Sequence, residues 1–305
     1  MPAAASTPEP RLAVLGPGLL GGSLALAAKQ DGAAAQVALW GRRQEIVEQI
    51  LRQGIADTAS SDLAEATAGA SLIVLATPVE IMPALAAQLA RLPLAPGTLI
   101  TDVGSVKGSV VRQLEPLFAG TGTRFLGSHP MAGSEKTGLD AARADLFRSQ
   151  NAACILTPTE NTLPQDIERL TAFWQGIGCR VLPLMSPDQH DQEVARISHL
   201  PHLMAVLTTL AALRQDATPL RCAGNGFRDT TRIAAGDPGL WTGIISQNRE
   251  AIIAALHDAR DGLGELLEII ESLDEDRLRQ FLSAAKRLRD LLPALTATEH
   301  AHPDC

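Results

Sequence analysis

Between Arg11 and about Leu184, short apolar runs alternate with helical patterns, and few folds can accommodate such a chain. Each strand–helix–strand unit forms a right-handed crossover, so its repetition builds a mostly parallel sheet covered by helices on both faces. We therefore predict an α/β protein whose N-terminal part is a doubly wound, Rossmann-type sheet. The predicted strands are Leu12–Leu15, Gln36–Trp40, Leu72–Ala76, Thr98–Asp102, Arg124–Gly127, Ala152–Leu156 and Arg180–Leu184, and the predicted helices between them include Pro78–Leu92 and Pro164–Gly176.

After Ser186-Pro187 the pattern becomes helical throughout. Apolar residues recur there at helical spacing, which forms stripes that must be buried by packing together or against a second copy of the chain. We predict an α/β domain over residues 1–186 and an all-helical domain over residues 187–305, with a homodimer as the assembly. A closed monomeric helical domain is the alternative. The stripes comprise Leu200, Leu203, Met204, Leu207, Leu210, then Ile252, Ile253, Leu256, Leu263, Leu266, Leu267, Ile270, Leu273, and finally Leu278, Phe281, Leu282, Leu288.

A GxGxxG motif lies directly after the first predicted strand and directly before a helical run. Gly16 permits a tight turn, Gly18 lets the backbone approach a pyrophosphate, and Gly21 permits close packing of helix on strand. Leu19 and Leu20 lie within the motif and are predicted to contact the cofactor. The N-terminus of the helix that follows offers free N–H groups to the phosphate oxygens. The motif at this junction predicts a dinucleotide site, and residues 1–186 are therefore predicted to form a dinucleotide-binding domain.

The second strand ends without the acidic residue that usually binds the ribose 2′-hydroxyl of NAD. Arg42 and Arg43 follow it instead, and two guanidinium groups suit a 2′-phosphate. The sequence thus favours NADP over NAD, unless both arginines are only solvated surface charges. Thr77 and Pro78 follow the Leu72–Ala76 strand at the edge where ligands of such sheets bind, so we expect them to line the cofactor pocket.

Composition excludes several classes of protein. The net charge of −8 and pI near 5.4 argue against a nucleic-acid partner. The N-terminus has no secretory pattern and the chain has no apolar run long enough to cross a bilayer, so we predict a cytoplasmic protein without a membrane partner. The absence of tyrosine excludes short-chain dehydrogenases, which use a Tyr-Lys pair.

Two further strand ends carry polar, glycine-rich sequence, around Ser105 and around His129. Both lie along the crevice at the carboxyl ends of the strands. An imidazole there suits acceptance of a hydroxyl proton near neutral pH, and Ser105 can hold that hydroxyl or orient the imidazole. His190, His199 and His202 raise the question of a zinc site, but there is no HExxH motif and no cysteine at ligand spacing, so we predict no metal.

The motifs together resemble the prephenate/arogenate dehydrogenase family of tyrosine biosynthesis. The resemblance runs from about Arg11 to Asn248 and rests on GPGLLGGS, TDVGSVKG, SHPMAGSEKTG, SHLPH and FRDTTRIAAGDPGLW. It implies that residues 187–305 form a helical, intertwined substrate and dimerisation domain. It also implies a small-molecule substrate, prephenate or arogenate, between which the sequence does not decide. It implies oxidative decarboxylation of a cyclohexadienyl acid with hydride transfer to NAD(P).

The resemblance also implies residue roles. His129, with Ser105 beside it, would hydrogen-bond the ring hydroxyl and assist hydride transfer, and Arg232 would bind a substrate carboxylate. The remaining substrate-binding residues implied are His202, Ser134 and Trp241.

Two other functions remain open. One is a β-hydroxyacid-type dehydrogenase, which uses a lysine as its base; Lys107 is the nearest candidate. The other is a non-catalytic NADP-binding redox sensor, which would bind cofactor without turnover.

Overall fold

The computed structural model describes residues 8–132, 136–149 and 152–298, with side chains described as far as Leu292. The chain packs as two compact units, Met1–Ile252 and Ile253–Cys305. The domain boundary predicted at residues 186/187 stays a prediction, because the helices that directly follow Ser186 pack within the first of these units.

A six-stranded, all-parallel sheet forms the centre of the first unit, which confirms the doubly wound fold. Its order is β3-β2-β1-β4-β5-β6. The two central strands read LAVL and LIVL and are fully buried, as expected for strands covered on both faces. The strands are β1 (Leu12–Leu15), β2 (Val37–Trp40), β3 (Thr58–Ser60), β4 (Leu72–Leu75), β5 (Leu99–Asp102) and β6 (Arg124–Phe125).

Helices cover both faces of this sheet and bury two apolar clusters against it. The helices are α1 (Leu19–Gln30), α2 (Gln44–Arg52), α3 (Leu63–Thr67), α4 (Met82–Leu89), α5 (Gly108–Phe118) and α6 (Pro164–Gly176). Helix α6 has its predicted bounds, with proline in its first turn. Helix α4 begins later than predicted, because Pro78 and the residues after it form a turn.

The later strands differ from the prediction of one sheet. The chain leaves the parallel sheet after Leu126 and forms a second, three-stranded sheet in the order β7-β8-β9. Strands β7 and β8 pair antiparallel, and β8 and β9 pair parallel. The predicted strand Arg124–Gly127 is thus divided between two sheets, and the predicted strand Arg180–Leu184 is shorter. The strands are β7 (Gly127–Met131), β8 (Ala153–Thr157) and β9 (Arg180–Val181).

After β9 the described residues form helices and the loops between them, without a further strand. A π-helical segment, Ala195–His199, joins two helices, and Pro201, which lacks an N–H donor, follows directly in the first turn of the second helix. Short 3-10 turns lie at Thr218–Cys222 and Arg232–Ala235. The helices are α7 (Pro187–Val194), α8 (Leu200–Leu213), α9 (Asn225–Thr231), α10 (Pro238–Gln247), α11 (Arg249–Glu271) and α12 (Glu275–Thr298). Among the described residues, no helix is long and apolar enough to span a bilayer.

Candidate active site

The glycine-rich turn between β1 and α1 has the geometry that the motif predicts. Gly16 has φ +125°, and a Cβ there would lie 2.4 Å from the Ala76 carbonyl oxygen. A Cβ on Gly21 would lie 1.9 Å from the Gly16 carbonyl oxygen. Both positions therefore require glycine because backbone atoms of neighbouring segments fill the space.

Gly18 differs, since a Cβ there would meet nothing within 4 Å. It precedes α1, whose first turn has no side-chain cap, so its N–H groups are available to an anion. Leu19 and Leu20 pack their side chains against the core, which leaves their backbone to face such a ligand. The open space at Gly18 fits the approach of a pyrophosphate.

A cavity of about 560 Å³ opens beside this turn. Arg42 and Arg43, both exposed, line it at the end of β2. The Thr77 hydroxyl oxygen is buried there and has no hydrogen-bond partner among the described residues, so it can bond a ligand. The cavity is lined by Gly16, Pro17, Trp40, Arg42, Arg43, Ile46, Ala76, Thr77, Pro78, Ile81, Gly138 and Leu139. Predicted cofactor residues from separate segments of the sequence thus share one cavity.

The loop from β5 to α5 contains a buried ion pair. Lys107 and Asp102 are in contact, and both side chains are fully buried. The Lys107 ammonium also donates to the Ser128 carbonyl oxygen over 2.9 Å. Ser105 lies between them in the chain and is half-buried. With its ammonium enclosed and bonded in this way, Lys107 is suited to hold β5 and β7 together and not to act as a base.

His129 lies on β7 and is buried. Its Nδ1 lies 2.8 Å from Nε2 of His190, and Nδ1 of His190 lies 2.8 Å from a carboxylate oxygen of Asp191. Both carboxylate oxygens of Asp191 accept backbone N–H groups at the start of α5, from Lys107 over 2.7 Å and from Gly108 over 2.8 Å. The helix after Ser186 is thereby joined to the catalytic candidate of the sheet.

A second aromatic cluster adjoins this set. The Asn248 side-chain amide bonds the Asp191 carbonyl oxygen over 2.8 Å and Nδ1 of His199 over 3.2 Å. His199 meets the Trp241 ring edge to face, and His202 stacks on Trp241 with centroids 3.4 Å apart. Nε2 of His199 and Nδ1 of His202 are buried without a hydrogen-bond partner among the described residues. Such orphaned nitrogens suit a polar ligand.

Arg232 begins the 3-10 turn that packs on α8, and its side chain is exposed. The turn continues to Gly236, where a Cβ would lie 2.5 Å from Nε1 of Trp241. The structure thus places the Arg232 segment beside the stacked pair of His202 and Trp241. Ser134 lies outside the described residues.

Burial governs the electrostatics of the four histidines. It lowers the pKa of His129 well below 6.5, and the nearby His190, Lys107 and His199 lower it further. Burial also lowers the pKa of His190, against the opposing effect of Asp191. It lowers the pKa of His199 to about 4 and that of His202 in the same direction. At neutral pH all four rings are therefore neutral.

Sequence reasoning missed several members of this site. His190 and His199 were considered only as metal ligands, and Asp191 and Asn248 were not considered. Among the described residues, no group of three or more His, Cys, Asp or Glu side chains is arranged to bind a metal. The adjacent His190 and Asp191 were the available signal for a hydrogen-bonded site. Their partner His129 is 61 residues away in the sequence, so the local pattern could not link them to it.

A glycine-rich turn on a doubly wound sheet, with an apposed helical segment that contributes imidazoles, defines a dinucleotide-dependent dehydrogenase. Two family models match the chain: "Prephenate dehydrogenase, nucleotide-binding domain" over residues 24–183 and "Prephenate dehydrogenase, dimerization domain" over residues 186–284. The chain belongs to the prephenate dehydrogenase family.

Individual relatives agree. The chain is 34% identical to the prephenate dehydrogenase of Bacillus subtilis over 91% of its length and 75% of that protein. The crystal structure of Aquifex aeolicus prephenate dehydrogenase with hydroxyphenyl propionate and NAD+ superposes with a TM-score of 0.83 at 30% identity, covering 93% of this chain and 98% of that one. Synechocystis arogenate dehydrogenase superposes with a TM-score of 0.78 at 32% identity, covering 92% and 99%.

Proposed function

We propose that this chain oxidatively decarboxylates prephenate or arogenate with a nicotinamide dinucleotide. The observation that carries the proposal is the placement of His129, a neutral imidazole in the middle of strand β7 and not at the strand end that the sequence predicts, in one hydrogen-bonded set with residues of the helical segment. Family membership and the aromatic cluster around Trp241 support it. The names of the Aquifex aeolicus and Synechocystis enzymes, prephenate dehydrogenase and arogenate dehydrogenase, fit a substrate with a cyclohexadienyl ring.

The residues divide the chemistry between them. His129 accepts the proton of the C4 hydroxyl, and Ser105 holds that hydroxyl or orients the imidazole. A bound nicotinamide would supply the acceptor for the hydride that leaves C4. Loss of the C1 carboxylate as CO₂ makes the ring aromatic and the reaction irreversible. Arg232 pairs with a carboxylate, since a guanidinium binds it bidentately. Trp241 and His202 bind the ring and the side chain of the substrate, and Ser134 completes the substrate-binding set.

An assay of the purified protein tests this. Both acids are offered with NAD and with NADP, and reduced nicotinamide is followed by absorbance together with CO₂ release. With prephenate, arogenate or both, we expect reduced nicotinamide and CO₂ to form in equal amounts. Cofactor binding without turnover of either acid would favour the redox sensor, and reduction of cofactor with a β-hydroxyacid without CO₂ would favour the lysine-dependent class.

The low pKa of His129 gives a prediction for the pH profile. A base with a lowered pKa stays unprotonated, and therefore active, below the usual histidine value of 6.5. We expect kcat/KM to stay level as the pH falls through 6.5 and to decline only at lower pH, as the free enzyme's His129 gains a proton. Burial is the largest cause of the lowered His129 pKa, and the neighbouring His190, Lys107 and His199 lower it further. A decline centred at or above 6.5 would contradict the buried, neutral imidazole.

For the cofactor, we propose a preference for NADP over NAD. Arg42 and Arg43 line the cavity at the end of β2, where no carboxylate follows the strand to repel a 2′-phosphate. Thr77, Pro78 and the amides of Leu19 and Leu20 complete the proposed contacts, with Gly16, Gly18 and Gly21 in the phosphate turn.

Replacing Arg42 or Arg43 by alanine should raise the KM for NADP about 10- to 100-fold, because each charge-assisted bond contributes about 1.5–3 kcal/mol. The KM for NAD should change little. The matched control is Arg52→Ala, at an exposed arginine that ends helix α2, the helix that directly follows Arg43. Initial rates at varied concentrations of NAD and of NADP give the two KM values. An equal rise of the KM for NAD and for NADP would argue against a 2′-phosphate contact.

We also propose that the protein is a homodimer joined through its helical half. Many of the predicted stripe residues remain exposed in the single chain, such as Leu207 on α8 at 51% and Leu267 on α11 at 54%. Large apolar side chains left exposed at helical spacing along a helix are typical of a protein–protein interface. The family model that matches residues 186–284 describes a dimerization domain, which supports the second copy as the occupant.

Leu267→Arg should therefore lower the molar mass in solution from twice 32.2 kDa towards the monomer value, because a buried guanidinium without a partner opposes association. Light scattering after size exclusion measures it. Leu51→Arg, at an exposed leucine of α2, is the control and should leave the mass unchanged. A wild-type protein that is monomeric at micromolar concentration would contradict the proposal.

A further inference from the structure

We infer that Asp191, acting through His190, fixes the tautomer of His129 and so makes its Nε2 the nitrogen that accepts the substrate proton. Asp191, His190 and His129 form a continuous line of hydrogen bonds, here called the imidazole chain. The role of Nε2 as the acceptor of the substrate proton rests on the proposed function. The positions of the hydrogens on the two rings follow from the contacts themselves.

The carboxylate end of the imidazole chain sets the direction of every bond. The two oxygens of Asp191 face the backbone N–H groups of Lys107 and Gly108, which can only donate. These groups begin the 11-residue helix α5, whose N-terminus favours an anion. Asp191 is thus an acceptor at both oxygens, and its third partner, Nδ1 of His190, must carry a hydrogen.

The assignment then passes along the imidazole chain. His190 is fully buried, and burial lowers its pKa, so the ring is neutral and holds one hydrogen only. With that hydrogen on Nδ1, its Nε2 is an acceptor, and Nδ1 of His129 must be the donor over the 2.8 Å contact. A neutral His129 with its hydrogen on Nδ1 has an unprotonated Nε2. That nitrogen is able to take a proton from a hydroxyl.

The arrangement also serves the protonated state. When His129 gains a proton, its positive charge lies one imidazole away from the Asp191 carboxylate. A carboxylate that orients an imidazole and stabilises its protonated form is the established principle of the serine hydrolase triad, where the asparagine variant leaves the wrong tautomer. Here a second imidazole is inserted between carboxylate and base, so His190 and Asp191 are positioning residues.

Asp191→Asn should disrupt the imidazole chain. The oxygen of Asp191 that faces His190 also accepts the Lys107 N–H, and the other oxygen accepts the Gly108 N–H. The introduced amide has one acceptor atom only, so it either presents its N–H groups to Gly108, or presents them to Lys107 and His190 and thereby reverses both rings; the negative charge is lost in both cases. We expect kcat to fall about 10²- to 10⁴-fold, with the KM for substrate and the affinity for cofactor within about threefold of wild type. Asp188→Asn, the same change at an exposed carboxylate of helix α7, is the matched control and should leave kcat unchanged.

His190 offers a test by rescue. His190→Gln keeps an acceptor oxygen for His129 and a donor amide for Asp191, and should retain far more kcat than His190→Leu, which keeps neither. A residue needed only to fill space would give the opposite order or no difference, because leucine is the better apolar filler.

The tautomer of His129 can be measured directly, in the absence of substrate. In ¹⁵N-histidine-labelled protein, long-range ¹H–¹⁵N spectra at neutral pH should show Nδ1 of His129 protonated and Nε2 not; the signals are assigned by their loss in His129→Asn. Wild-type spectra with the hydrogen on Nε2, or an Asp191→Asn enzyme with kcat within about threefold of wild type, would overturn the inference. If the wild type turned over neither acid, the proposed function would fail while the spectra still decided the tautomer.

Discussion

Replacing His129 by asparagine should lower kcat by about 10²- to 10⁴-fold, the range that general base catalysis contributes. Asparagine is close in size and keeps an amide that can hydrogen-bond His190, so the fold should survive while the proton acceptor is lost. The affinity for cofactor should stay near that of wild type, because the dinucleotide cavity is lined by other residues. Steady-state kinetics combined with a cofactor titration measure both quantities.

The surface histidine of α11, exposed His257, provides the control: His257→Asn should keep the wild-type kcat. A comparison with lysine separates the two dehydrogenase classes. Per folded molecule, Lys107→Ala should retain far more activity than His129→Ala, since Lys107 is enclosed and paired with Asp102. The reverse order would favour the lysine-dependent class.

Lys107→Met should be the most destabilising single substitution proposed for this protein, at about 3–5 kcal/mol of unfolding free energy. The loss leaves Asp102 fully buried without its cation, and burial raises the pKa of that carboxyl, so it must either remain an unpaired charge or take up a proton. The Ser128 carbonyl also loses its donor. Urea unfolding followed by circular dichroism gives the difference.

Two variants show whether the buried charge is the cause. Lys107→Met combined with Asp102→Asn should recover part of the loss, because the second change removes the uncompensated charge. Lys29→Met breaks an ion pair with Asp57 in which the lysine side chain is 40% exposed and the aspartate side chain 39%. It should lower the free energy of unfolding by less than about 1 kcal/mol. A Lys107 variant as stable as the Lys29 variant would contradict the structural role.

Much of the fold was predictable because its signals are local. The apolar runs at Leu12–Leu15 and Leu72–Leu75 and the proline at the start of α6 are short-range patterns. Strand β3 was missed because Thr58–Ser60 is three residues at the sheet edge, with no apolar run. The second sheet was missed because β6 and β7 are nearly continuous in sequence and differ only in which strands they pair with.

The sequence alone determined the class of fold, the dinucleotide turn and His129 as the candidate base, since a glycine spacing and a polar strand end are written in consecutive residues. The surroundings of that base are visible only once the chain is folded: the His190–Asp191 pair, the enclosure of Lys107 and the stacking of His202 on Trp241. The reason is physical. Protonation and orientation depend on burial and on partners tens of residues away, and neither is encoded at any one place in the chain.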